Sequence, residues 1–355
     1  MTCTDGQLPE TCAPRPHQCA RVPLPVAVLT SISDAEALVV AREYALGELV
    51  RLEGIPAGSV NSNFALVTDK GRYFLRIYEE QGDAGARAEG ALLAKLAAAG
   101  VATPAPIARV DGTGTIGAVA SKPAAVFPWT DGTHRCQASV TRDDCRRVGA
   151  ALAAVHCAGE GTVRGLGRFR YEDLLERIAR ITTARDTTLA AQAPVLRAKL
   201  DQWTARRDAS LPRGVIHGDL FRDNVLWKND GSIAALLDFE SASDGVLAYD
   251  LMVTALAWCF GDALDMALLS AMIDGYESIR PLDDAEKRSL VAEGCVAATR
   301  FTITRITDYA MRVTDGPRVI KDWRRFAARL AALEAIDSKG ESVGVLRRVD
   351  GSPID

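Results

Sequence analysis

The chain has 355 residues, 48% of them hydrophobic and 25% charged, the balance of a soluble globular protein with room for two lobes. Its 42 Lys and Arg against 46 Asp and Glu leave a net charge of −4, so no strong field favours nucleic acid or an anionic membrane. That excludes a dedicated polyanion binder but not a phosphorylated small molecule, which needs only a few local donors.

Residues 1–25, with Cys3, Cys12 and Cys19 among prolines and threonines, read as a disordered extension. A signal peptide is the lesser reading, because the uncharged stretch from Val22 to Ser33 carries Pro23 and Pro25 and no small-residue cleavage site. Cys136, Cys145, Cys157, Cys259 and Cys295 are scattered without CxxC spacing, as in a reduced, cytoplasmic chain. The longest uncharged apolar run, Leu251 to Gly261, is about half of what a membrane span requires.

Ser33-Asp34-Ala35-Glu36 is a capping box, predicting a helix that ends near Leu46-Gly47 with Gly47 as its left-handed stop. Asn63 to Thr68 and Arg72 to Tyr78 are β-branched and aromatic, with a hairpin turn at Asp69-Lys70-Gly71 between them. An alanine-rich helix is expected from about Asp83 to Ala99, closed by Gly100. Short strands are expected at Ile107 to Val110, Thr115 to Val119 and Pro123 to Phe127. Beyond Pro128 the pattern turns helical: Val148, Ala151, Leu152 and Val155 share one face, and Ala285 to Met311 and Asp322 to Leu333 also read as helix. A β-like insertion from Gly214 to Phe239 is the exception. The expected organisation is a β-rich lobe over 26–127, a helical lobe over 128–337, and a flexible tail over 338–355.

The insertion carries the chemistry. It reads Gly-Val-Ile-His-Gly-Asp-Leu-Phe-Arg-Asp-Asn-Val-Leu-Trp, a turn at Asn229-Asp230-Gly231, then Ala-Ala-Leu-Leu-Asp-Phe-Glu. An apolar strand delivers His217 and Asp219 into a loop, Asn224 follows five residues later, and the hairpin returns the chain at Asp238. Phosphoryl transfer needs a carboxylate to orient the attacking hydroxyl and take its proton, together with oxygen ligands for magnesium. Asp219 suits the base, and Asn224 and Asp238 suit the metal. An amide beside a carboxylate avoids a third negative charge facing the phosphates. His217 is expected to fix the loop through hydrogen bonds.

This pattern resembles the aminoglycoside phosphotransferase and choline kinase superfamily, which implies an α+β, protein-kinase-like, two-lobed fold binding ATP and Mg2+. The resemblance implies that Gly58-Ser59-Val60-Asn61-Ser62-Asn63 is the phosphate-covering loop, contributing Gly58, Ser59, Asn61 and Asn63. It places Arg76 of Phe-Leu-Arg-Ile-Tyr at the phosphate-binding cation and makes Glu89 its partner. It also puts Phe127-Pro128-Trp129 at the hinge that meets adenine, although Trp129 serves equally well as interlobe packing. VNSNF, LPRGVIHGDLFRDNVLW, LAYDL, AWCF, GYESIRPL and TRFTITRITD are similar to the second type of homoserine kinase, over roughly Val26 to Ala332. That branch usually has tyrosine where Glu240 stands and asparagine where Leu256 stands. It implies phosphate transfer to the side-chain hydroxyl of L-homoserine, a small-molecule step toward threonine that involves neither nucleic acid nor membrane.

Homoserine is a small zwitterion, so its pocket calls for an acid and, for the carboxylate, an arginine. Arg300, Arg305 and Asp308 lie on one expected helix among Phe301, Ile303 and Ile306, with Arg305 and Asp308 on one face. They either line the acceptor pocket or hold helices together. Asp250 is expected to brace the catalytic loop. Choline, an aminoglycoside or a sugar derivative are the alternative acceptors, and an inactive nucleotide-binding module is the alternative of another class. Oligomeric state is not legible in the sequence.

Overall fold

A computed structural model describes residues 29–55, 60–162, 165, 167–312 and 321–339. The expected extension 1–25, Gly58 and Ser59 lie outside the described residues, as does most of the expected tail.

The first lobe is built on α1 (Asp34–Glu43), β1 (Leu49–Ile55), β2 (Ser62–Thr68), β3 (Gly71–Ile77), α2 (Asp83–Ala98), β4 (Ile116–Val119) and β5 (Lys122–Pro128). The strands form one antiparallel sheet in the order β1-β2-β3-β5-β4. The capping box is present: Ser33 accepts from the Glu36 amide and the Glu36 carboxylate accepts from the Ser33 amide. The left-handed stop falls on Ala45 (φ 51°) as well as Gly47 (φ 97°), with the Leu46 amide bonded back to Ala41 O at 2.8 Å.

Two strand expectations need correction. The sequence pattern missed β1, because this edge strand carries Arg51, Glu53 and Gly54 and pairs its charges at the surface. Ile107 to Val110 is not a strand: β3 and β4 already flank β5, and only a bond from the Ile107 amide to Val126 O at 2.8 Å ties the segment there.

Strand alternation sorts the sheet's two faces. Phe64, Leu66, Leu75, Ile77, Ala124 and Val126 bury against Ala37, Val40, Ala41 and Tyr44 of α1 and its C-cap. The intervening Ala125 and Phe127 join a second cluster that includes Leu92, Leu93 and Leu96 of α2 and runs on into the helical lobe. Arg76, between Leu75 and Ile77, is therefore turned toward that lobe.

The helical lobe holds α3 (Arg142–Ala158), α4 (Tyr171–Thr182), α5 (Thr187–Ala190) and α6 (Gln192–Thr204). β6 (Arg213–Ile216), β7 (Val225–Trp227), β8 (Ile233–Leu236) and β9 (Ser243–Val246) follow, and then α7 (Leu247–Trp258), α8 (Met266–Glu277), α9 (Asp284–Arg305) and α10 (Arg324–Ser338). β7 pairs with β8 as expected, whereas β6 pairs with β9, which the sequence pattern did not reveal. The expected helix from Ala285 to Met311 stops at Arg305 and widens into a π-helical turn over Ile306–Ala310. Thr307 Oγ1 bonds back to Ile303 O and Thr304 O, and the Met311 amide reaches Ile306 O at 2.8 Å. Among the described residues, no helix is long and apolar enough to cross a membrane.

α3 and α8 approach backbone to backbone at two glycines. A Cβ on Gly149 would lie 2.0 Å from Met272 O, and one on Gly275 would lie 1.9 Å from Arg146 O. Neither contact can be relieved by turning a side chain, so the helices would have to separate. Gly149→Ala is expected to destabilise the fold by about 1–3 kcal/mol, read as a lowered thermal midpoint. An unchanged midpoint would show that this helix pair tolerates separation.

Candidate active site

The loop between β6 and β7 is hung from a buried carboxylate. Asp250, on α7 and fully buried, accepts from the His217 amide (2.7 Å) and the Gly218 amide (2.7 Å) and bonds His156 Nε2 of α3 (3.0 Å). His156 Nδ1 continues to the Tyr276 hydroxyl on α8 at 2.7 Å. Burial alone would raise the Asp250 pKa, but the His156 hydrogen bond, the two imidazoles and the Gly218 amide together hold it below its ordinary value. The bracing role expected of Asp250 is what the geometry displays. His156 was missed, since a lone histidine on an apolar helix face gives no signal of a partner 94 residues away.

From that anchor a ring of hydrogen bonds gathers the three chemistry-bearing residues. The Asp219 amide donates to His217 Nδ1 at 3.3 Å, and His217 Nε2 donates to Leu237 O at 3.0 Å. The Leu237 amide donates to Asn224 O at 2.9 Å, and Asn224 Nδ2 donates to Asp219 O at 2.7 Å. Asp238 follows Leu237 directly and is left-handed (φ 63°), which turns the chain sharply after β8. Burial, the largest influence on His217, lowers its pKa.

The Asp219 carboxyl is strongly perturbed. Burial pushes its carboxyl up to about 7; Arg300 and Lys321 pull it down, while Asp238 and Asp223 push it further up. Lys321 was not foreseen. It lies 102 residues beyond Asp219 and carries no motif.

On the nucleotide side, Arg76 Nη1 lies 3.4 Å from Glu89 Oε1 and 3.6 Å from Asp238 Oδ1. Burial disfavours its charge, but Asp238 and Glu89 outweigh that and raise its pKa. Asn61 Nδ2 donates to Glu240 Oε2 at 2.9 Å, and its Oδ1 accepts from the Glu79 amide, so it ties the loop before β2 to the segment after Asp238. Asn63 is buried on β2, with its Nδ2 3.4 Å from Asn61 O. Beside Arg76 opens an apolar cleft of about 120 Å³, walled by Phe74, Leu93, Phe127, Trp129 and Leu236. Trp129 lines this cleft with the Arg72 guanidinium 3.5 Å from its ring centroid and its Nε1 on Asp131.

The acceptor-side candidates do not stay together. Asp308 pairs with Arg177 of α4 at 2.5 Å. Arg305 instead lies 4.4 Å from the Phe326 ring of α10 and donates to Asp322 O at 3.1 Å. The reading of one shared face fails because the π-helical turn begins directly after Arg305 and breaks the 3.6-residue spacing. Arg300 and Asp219 influence each other electrostatically.

Asp238 and the amide oxygen of Asn224 suit a hard divalent cation that takes its remaining ligands from phosphates and water. Among the described residues no group of three or more His, Cys, Asp or Glu could hold a metal, so the site lacks a closed protein cage.

The phosphotransferase enzyme family model matches residues 51–282. The chain is 36% identical over 327 residues to the homoserine kinase of Methylocella silvestris, covering 90% of this chain and all of that protein. It is 37% identical over 292 residues to the homoserine kinase of Gluconacetobacter diazotrophicus, covering 80% and 89%. Among solved structures, an amicoumacin kinase in complex with AMP-PNP and Ca2+ superposes with TM-score 0.63 at 15% identity, covering 89% of this chain and 95% of that one. Choline kinase from Cryptosporidium parvum superposes with TM-score 0.64 at 13% identity, covering 87% and 97%. At such identities the likeness shows the fold, a protein-kinase-like pair of lobes.

The expected pH dependence follows from Asp219. If Asp219 accepts the hydroxyl proton it must be ionised, so kcat/KM for the hydroxyl acceptor should rise about tenfold per pH unit below 7 and level off above it. The same raised pKa means that ionising Asp219 costs folding stability as pH climbs from about 4 through 7. Asp219→Asn should therefore abolish most transfer yet raise the thermal midpoint at pH 8. A lower midpoint at pH 8 would contradict the buried-carboxylate explanation.

Proposed function

We propose, for a chain that belongs to the phosphotransferase enzyme family and is an ATP-dependent kinase of a hydroxyl-bearing small molecule, that the acceptor is the side-chain hydroxyl of L-homoserine. The single observation that carries the assignment is the 33–37% identity to several homoserine kinases over 80–90% of this chain. The distribution of charge supports it. Of the three arginines around Phe169, Arg168 and Arg177 are paired with acids, whereas Arg300 has, among the described residues, no carboxylate within ion-pair distance and is congenial to an amino-acid carboxylate rather than to a polycationic aminoglycoside.

In this reading residues 26–127 form the nucleotide-covering lobe and 128–337 the catalytic lobe. The apolar cleft of Phe127, Trp129 and Leu236 takes the adenine, and Arg76, held by Glu89, meets the phosphates. Asn61 and Asn63 border them. Asn224 and Asp238 hold Mg2+, which when bound neutralises charge on the phosphates. Asp219 accepts the hydroxyl proton as the substrate oxygen bonds to the γ-phosphorus and the bond to the β–γ bridging oxygen breaks, releasing ADP. Arg305 and Asp308 frame the acceptor side through their partners in α10 and α4. That the reaction consumes ATP and a free amino acid supports a cytoplasmic location.

The test is transfer of labelled γ-phosphate from ATP, offered in parallel to L-homoserine, choline and kanamycin. Homoserine should be phosphorylated with kcat/KM at least about 100-fold above either alternative. Efficient transfer to choline or kanamycin with none to homoserine would overturn the assignment. Arg76→Ala should raise the KM for ATP at least about tenfold while leaving that for homoserine nearly unchanged.

A further inference from the structure

Several arginines of this protein are buried or half-buried, and Arg329, Arg207 and Arg76 each have carbonyl or carboxylate partners, although the Nε of Arg76, like those of Arg109 and Arg135, is without a hydrogen bond. Arg329, 7% exposed, donates to the carbonyls of Leu256, Arg325 and Phe260. Arg207 makes two bonds to the buried Glu293 carboxylate, at 2.9 and 2.7 Å. Arg76 has Glu89 and Asp238. Arg300 is different. It is 4% exposed, and its Nε and Nη1 are buried with no hydrogen-bond partner. Leaving guanidinium donors unsatisfied away from water is costly, and folded chains seldom do so without a use for the group.

Its surroundings hold it ready. The guanidinium carbon lies 3.8 Å from the ring centroid of Phe169 and 3.8 Å from that of Phe301, so two aromatic rings restrict the planar group. The charged and titratable groups that act on it are Asp219, Tyr249, Arg168 and Arg177. The other two guanidiniums around Phe169 have carboxylates of their own: Arg168 faces Glu80 and Glu240 at 3.6 and 3.4 Å, and Arg177 faces Asp308. Among the described residues, Arg300 alone of the three has no carboxylate within ion-pair distance.

We infer that Arg300 is the carboxylate-reading residue of the acceptor site, so that the enzyme selects substrates carrying an anionic carboxylate a few bonds from the reacting hydroxyl. This rests on the homoserine reading and deepens it, by assigning the selection to Arg300 rather than to Arg305, which is committed to Asp322 O and Phe326. The substrate carboxylate takes the unfilled donors, and the hydroxyl at the other end of the molecule meets Asp219. A lysine cannot replace this group, because a point ammonium on a flexible stem does not offer a planar fork.

The test compares L-homoserine with 3-amino-1-propanol, the same molecule without its carboxylate, as acceptors for wild type, Arg300→Gln and Arg300→Lys. Wild type should prefer homoserine strongly. Both variants should lose roughly 100-fold in their preference for homoserine over 3-amino-1-propanol, read as the ratio of the two kcat/KM values so that any change Arg300 makes through Asp219 cancels, and keep their nucleotide affinity. Should Arg300→Gln fail to fold, judged by its thermal transition, Arg300→Lys retains the charge and decides the matter. Unchanged homoserine kinetics in a folded variant, or equal losses on both acceptors, would overturn the inference. A wild-type enzyme that phosphorylates other alcohols but not homoserine would instead overturn the acceptor assignment beneath it.

Discussion

A single ionised carboxylate inside the helical lobe sets the position of the catalytic loop. Asp250 takes two consecutive backbone amides, those of His217 and Gly218, and no other residue in the loop substitutes for that clamp. Its charge is supported from two neighbouring helices: α3 supplies His156, and α8 supplies Tyr276 behind it. The close approach of α3 and α8 at Gly149 and Gly275 is thus more than packing economy, because it brings the His156–Tyr276 pair within bonding distance. From sequence to site, small residues permit the approach, the approach builds the polar network, and the network aims the loop.

The nucleotide side depends on a different constraint, the two-residue period of the sheet. Leu75 and Ile77 are drawn into the core beneath α1, and that alone forces Arg76 to the opposite face, where Glu89 of α2 and Asp238 hold it. The same alternation on β5 delivers Phe127 to the cleft wall while Val126 is buried with α1. Electrostatics then joins the lobes. Arg76 bridges an acid from each, and Asn61 reaches across to Glu240.

Much of this was legible in the letters because its signals are local. The His217-to-Asp238 stretch has fixed spacing, a hairpin turn and apolar strands, so its convergence could be read without coordinates. Arg76 was legible because a cation flanked by core residues on a strand must face something specific. What escaped notice was long-range or irregular. β9 completes its ladder with a strand 30 residues upstream, and β1 is an edge whose charges hide its strand character. The π-helical turn after Arg305 is invisible to a 3.6-residue pattern, and it sent Arg305 and Asp308 to different neighbours. Arg300 was recognised as a candidate beside them, yet only the coordinates distinguish the arginine with unfilled donors from those already engaged. Lys321 and His156 act through space on residues far away in sequence, and no spacing rule marks them.

The claim that a buried carboxylate fixes the catalytic loop is tested most directly by native-state hydrogen exchange at the amides of His217 and Gly218 in the unmodified protein. If Asp250 holds them as described, both amides exchange only through global unfolding, among the slowest in the chain. Exchange at rates typical of exposed loop amides would show that the loop is positioned by something else.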